Sequence, residues 1–156
     1  MTDKPNIDFL ITAFDINNSI IELDNYIGEL CSWGDALGKL TEPQKHFYFN
    51  QNLEREVNNG GFSQFFFNSS GNFTHETVVS LNAIGANKTA KILQEAIDQF
   101  PLSKVPIDQE ERRELLEKIE SEADPIWSEL DQQFYNYEDD LNELNIQYIK
   151  QNRNSF

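Results

Sequence analysis

Apolar residues return every three or four positions along most of this chain, and no segment sustains the period-two alternation of a strand. Ile16, Ile20, Leu23, Ile27 and Leu30 fall on one face of a helix that ends before Gly34 and Gly38. Thr41-Glu42-Pro43 reads as a helix start. Thr41 is its cap, and Pro43 sits in the first turn, where a missing N–H costs little. That helix turns Phe49, Leu53 and Val57 inward and stops at Asn58-Asn59-Gly60-Gly61. A short helix over 62–68 follows, closed by Ser69-Ser70-Gly71.

The remaining segments repeat this logic. Thr74 is read as the cap of a helix carrying Val78, Leu81 and Ile84. Asn87 is read as the cap of one carrying Ala90, Leu93, Ile97 and Phe100, which Pro101 stops. Asp108 starts a charged helix with Leu115, Leu116, Ile119 and Ala123 on its apolar side, and Asp124-Pro125 is expected to cap the last element. There Trp127, Leu130, Phe134, Tyr137, Leu141, Leu144 and Tyr148 step by three and four, a seam in one long helix or in two with a bend near Asn136. Such a seam is read as intramolecular core, with a homodimeric coil as the alternative. The expected fold is all-α: one compact domain over 1–156, about seven helices, with a long C-terminal helical element.

The glycine pair in "REVNNGGFSQFFFNSSG" raises the question of a phosphate-binding loop. Such a loop follows a strand and carries Lys and Ser/Thr at a helix start. Here the preceding segment is helical, and the next lysine is Lys88. The pair reads instead as a corner, where glycine supplies a backbone conformation closed to other residues. Glu56, Asn59, Gly60, Gly61, Phe62, Gln64, Phe66 and Gly71 form this structural motif, with Phe62, Phe65 and Phe66 entering the core.

The same residues carry a resemblance. The pattern E-x-N-N-G-G-F-x-Q-x-F-x-N-x-x-G over 56–71, with "LNAIGA" over 81–86 and the ending Y-I-x-x-N over 148–152, resembles the family named for a bacterial DNA-mimic protein. The resemblance covers about residues 40–152. It implies a compact helical domain with a strongly acidic face. It also implies a regulator that occupies the DNA-binding surface of a transcription factor. The motif itself is corner and core, so it speaks for the fold more directly than for mimicry.

Charge points the same way independently. The net charge is −15, which should repel nucleic acid and anionic membrane and suits a basic protein partner. Of 27 acidic residues, 14 lie between 108 and 143, opposed there only by Arg112, Arg113 and Lys118. Concentration of this kind exceeds what solubility needs, although a charge run on a helix is ordinarily a solvated face. Glu110, Glu114 and Glu117 stand opposite the apolar stripe, about 5–6 Å apart, of the same order as neighbouring phosphates on a DNA strand. Glu129, Asp131, Asp139, Asp140 and Glu143 fall off the seam and complete the expected contact surface. Two such helices side by side could imitate two phosphate strands.

Catalytic material is sparse. Cys31 is the single cysteine and excludes an internal disulfide. Two histidines and one cysteine leave little for a zinc site, and the acidic cluster lacks the Asp-x-Asp-x-Asp-Gly pattern of a calcium loop. Glu42 and His46, one turn apart, are the one pair that could serve as acid and base in a small hydrolase. His75 is expected to face water, and Cys31 to lie in the core. The expectation is a cytoplasmic, non-enzymatic regulator without cofactor or metal, whose partner is a basic protein such as a helix-turn-helix transcription factor. It should bind neither nucleic acid nor membrane directly. An immunity-like inhibitor of a basic toxin is the alternative.

Overall fold

The computed structural model describes residues 3–156, and all regular structure among them is helical. Seven α-helices follow in order: α1 (Ile7–Thr12), α2 (Ile16–Leu30), α3 (Glu42–Phe67), α4 (Thr74–Ala83), α5 (Asn87–Ile97), α6 (Gln109–Tyr135) and α7 (Leu141–Gln151). No helix is long and apolar enough to cross a membrane among these residues.

α3 starts as its sequence requires. The Thr41 side chain accepts the Gln44 N–H while the Gln44 side chain accepts the Thr41 N–H, a reciprocal capping box. The helix then breaks at Gly60 (φ −157°, ψ 20°) and Gly61 (φ 73°, ψ −175°) before resuming. Gly61 thus occupies backbone space that L-residues avoid, and the chain re-enters a short corner helix over 62–67. The glycine pair marks a kink inside one element.

α3 runs through two adjoining cores. Its first half joins α1, α2 and α7 around Leu23, Ile27, Phe47, Leu10 and Ile149. Val57 and the corner helix join α4, α5 and α6 around Phe62, Phe66, Phe100, Trp127 and Phe134. In this second core Phe66 meets Phe100 edge-on at 4.9 Å and the Trp127 ring at 5.2 Å. The Trp127 indole N–H donates to the Ala96 carbonyl at 3.0 Å, so its one polar group is satisfied in the interior.

Three expected helix starts differ from the structure. Asp124-Pro125 caps nothing: α6 runs straight through Pro125. Pro125 deprives the Ser121 carbonyl of its helical partner, but both residues are exposed and water can take the bond. Burial of Trp127, Leu130 and Phe134 on one stripe keeps the helix going. Thr74 is the first residue of α4, and its buried hydroxyl donates backward to the Gly71 carbonyl at 2.8 Å. Asn87 likewise lies inside α5, whose start is capped from a distance, as described below. The expected bend near Asn136 is a full break, since 136–140 separate α6 from α7. The seam is intramolecular: Trp127, Leu130, Phe134 and Leu141 belong to the core, with Leu144 and Tyr148 packed against it, and only Tyr137 is exposed.

Candidate protein-binding face

α6 positions the acidic row. Its N-cap Asp108 accepts the Glu111 N–H at 2.9 Å, and 27 residues make a rod about 40 Å long. Arg112, Leu116, Ala123, Trp127, Leu130 and Phe134 turn inward, leaving Glu110, Glu114, Glu117 and Glu129 exposed. None of these four carboxylates has an ion-pair partner among the described residues.

Arg112 removes one of the three opposing cations. Its guanidinium is wholly buried and donates to five oxygens: Phe66 (2.6 Å), Pro106 (2.8 Å), Ile107 (3.0 Å) and Asn68 (2.9 Å) carbonyls, and Asn72 Oδ1 (2.8 Å). No carboxylate touches it. Burial lowers its pKa, yet a guanidinium stays charged at neutral pH. The cation sits at the carbonyl end of the corner helix, where the helix dipole favours it. Arg113 lays its guanidinium over the Phe67 ring, 4.0 Å from the centroid, and donates to the Phe67 carbonyl. Lys118 is left as the one exposed basic residue of α6.

The other four expected contact residues have internal duties. Asp131 is half-buried and accepts the Phe62 N–H at 2.8 Å. Burial raises its pKa, and this hydrogen bond works against the rise. Asp139 accepts both the Thr89 N–H (2.8 Å) and the Thr89 hydroxyl (3.0 Å), so it caps α5 across the fold. Asp140 is the N-cap of α7, accepting the Glu143 N–H at 3.0 Å, and half-buried Glu143 accepts from Gln147 at 2.7 Å. The two acid-bearing helices are not side by side. α6 packs on α3 and α5, α7 on α2 and α1, and the 136–140 segment joins them end to end. Of the expected contact residues, the exposed carboxylates without a partner among the described residues therefore all lie on α6, where Glu120 and Asp124 extend the acid toward the corner helix.

At the corner, Glu56 accepts from Gln64 (2.8 Å) and Asn68 (2.9 Å), and Asn59 donates to Gln64 at 3.2 Å. The motif's polar residues thus clamp the two arms of the kink. A family model described as DMP19-like protein matches residues 38–152. The chain belongs to the DMP19-like protein family. This is the DNA-mimic family that the motif resembles, and the match runs from just before α3 to the end of α7. In this DMP19-like chain α1 and α2 precede the matched region while packing into its core. No curated protein and no solved structure matches.

Glu42 and His46, weighed above as an acid–base pair, are not hydrogen-bonded to each other. Glu42 is fully exposed and pairs with Lys45 at 2.7 Å, which lowers its pKa. His46 instead lies 2.8 Å from the Ser80 hydroxyl through Nδ1. Ser80 donates to the Glu76 carbonyl, so the network assigns the proton to His46 Nδ1 and leaves Ser80 fully buried and committed. Burial lowers the His46 pKa and keeps the ring neutral. Cys31 is fully buried, and burial raises its thiol pKa, the condition of an unreactive core cysteine. His75 is exposed but its Nε2 accepts the Val105 N–H at 3.1 Å, pinning the loop before α6. No group of three metal-ligating side chains occurs among the described residues.

Proposed function

We propose that this DMP19-like chain is a non-enzymatic regulator of the cytoplasm that occupies the DNA-binding surface of a basic protein, in the first instance a transcription factor. One observation carries the reading. On α6 the outward carboxylates Glu110, Glu114 and Glu117 have no internal ion partner, while Arg112, which would offset them, is turned into the core. Regularly spaced, unneutralised negative charge on a stiff rod is what a phosphate-reading surface is built to attract. Family membership supplies independent support for mimicry.

The test is capture of partners by the immobilised chain at low and high salt, beside the variant Glu110→Gln/Glu114→Gln/Glu117→Gln. The reading expects a DNA-binding protein that is held at low salt, released at high salt, displaced by duplex DNA and lost with the variant. A basic toxin captured under the same conditions would keep the electrostatics and make the protein an immunity-like inhibitor. Equal capture by both forms of the chain would remove this face from the reading.

A further inference from the structure

Between the corner helix and α6 lies an open groove of about 590 Å³, within the range of small-ligand sites. Its floor is apolar, made by Leu116 and the edge of Trp127, and the half-exposed Phe67 forms one wall. Glu120 and Asp124, one turn apart on α6, stand over it from the other side. Asp124 accepts from the Ser63 hydroxyl at 3.3 Å through Oδ1, and Glu120 has no hydrogen-bond or ion partner among the described residues. Asn68 also lines the groove. Its Nδ2 is committed to Glu56, which leaves its Oδ1 as the polar atom open to a donor.

An apolar floor, an aromatic wall and acceptors on both sides define a narrow class of ligand. A carboxylate-bearing ligand would be repelled by Glu120 and Asp124. A lysine ammonium would meet the carboxylates and lay its stem on the floor, but it brings no planar face to the wall. A guanidinium on a three-carbon stem satisfies all three, because it is cationic, planar, apolar on its faces and rich in edge donors. The Arg113 guanidinium already stacks on the Phe67 ring at 4.0 Å, so one face of that wall is taken and an entering guanidinium would meet what that cation leaves open.

We propose that this groove receives an arginine side chain of the basic partner. The inference rests on the reading of α6 as a partner-binding row. The groove lies on the flank of that row, one turn beyond Glu117, so a surface lying along Glu110, Glu114 and Glu117 would carry an arginine to Glu120 and Asp124. The row supplies long-range attraction; the groove supplies register, through a single residue that DNA phosphates would otherwise engage.

The test is an NMR titration of the ¹⁵N-labelled full chain with N-acetyl-arginine amide, N-acetyl-lysine amide and N-acetyl-citrulline amide. The arginine compound should give saturable shifts at Ser63, Gln64, Asn68 and the Trp127 indole N–H. The lysine compound should bind at least fivefold more weakly, and uncharged citrulline should leave these signals unmoved. Glu120→Gln/Asp124→Asn should abolish the shifts; the citrulline comparison is made on the native chain and holds even if that variant folds poorly. Equal responses to arginine and lysine, shifts centred on Glu110, Glu114 and Glu117, or no shifts would each overturn the proposal. Absent groove shifts beside intact salt-sensitive capture would sink the groove alone, whereas groove shifts without such capture would sink the regulatory reading.

Discussion

The Asp131 carboxylate accepts the Phe62 backbone N–H at 2.8 Å, so the acidic helix caps the corner helix it packs against. The N–H lies in the first turn after the glycine kink, where a restarting helix leaves N–H groups to be met from outside. Asp131→Ala should cost about 1–2 kcal/mol in chemical denaturation, the usual range for a lost cap. Asp131→Asn keeps an acceptor and should lose much less. Gly61→Ala acts on the same contact from the other side. A Cβ there would strike the Asp131 carboxylate, and φ +73° is itself strained for alanine, so a loss of about 1–3 kcal/mol is expected. Full stability of Gly61→Ala would contradict the observed backbone.

Asp139 offers a sharper contrast between structural and surface acid. It caps α5 through Thr89 from a position 50 residues away. Asp139→Ala should destabilise by about 1 kcal/mol, whereas the triple glutamine variant on α6 should leave the thermal transition unchanged or raise it slightly by relieving like-charge repulsion. Thermal denaturation of the two variants side by side separates the classes. A triple variant as destabilised as Asp139→Ala would mean those glutamates are part of the fold.

Arg112 ties the corner helix, the loop before α6 and Asn72 into one socket. Removing it leaves four backbone carbonyls and one amide oxygen dry. Arg112→Met should therefore cost about 3 kcal/mol or more, although it eliminates a buried charge. Arg112→Lys restores the charge but has three donors on a single point, so it should recover only part of the loss. Full recovery with lysine would show that charge, and not the five-bond fork, holds the socket. Gly71 completes the arrangement, because a side chain there would meet the Arg112 guanidinium.

These three sites show what the sequence could reveal. The 3.6-residue periodicity exposes α2 to α7 because each buries one stripe, and Gly60-Gly61 announces the kink because few other residues tolerate it. Thr41 is legible as a cap because the N–H it accepts, that of Gln44, lies three residues on; the return bond from the Gln44 side chain is a finding of the structure. Asp131–Phe62, Asp139–Thr89 and Arg112–Phe66 join residues 69, 50 and 46 positions apart, and nothing local marks an aspartate as a distant cap or an arginine as buried. For the same reason, Asp131 and Asp139 are indistinguishable by pattern from Glu110 or Glu117. Pro125 misleads in the opposite direction: its local preference says boundary, and the buried stripe on either side of it overrides that preference.

Part of the pH response follows from two carboxylates between α2 and α3. Asp24 and Glu54 each bury one oxygen without a hydrogen-bond partner, and burial raises both pKa values above the usual carboxylate range. For Asp24 the Arg55 charge works against that rise; for Glu54 the Tyr137 hydroxyl, 3.3 Å away, does so. With folded pKa values above the unfolded ones, the native state binds more protons in the interval between them. These two groups therefore favour folding most below the unfolded carboxylate pKa, about 4, and that advantage is lost as pH rises through the folded values. Glu54→Gln keeps an acceptor for Tyr137 and removes the charge. It should be more stable than the native chain at neutral pH, with the difference shrinking to nothing as the pH falls below about 4. Denaturant midpoints of both proteins across this range give the comparison directly. A difference that is constant with pH would mean that Glu54 titrates in the folded protein as it does in the unfolded chain.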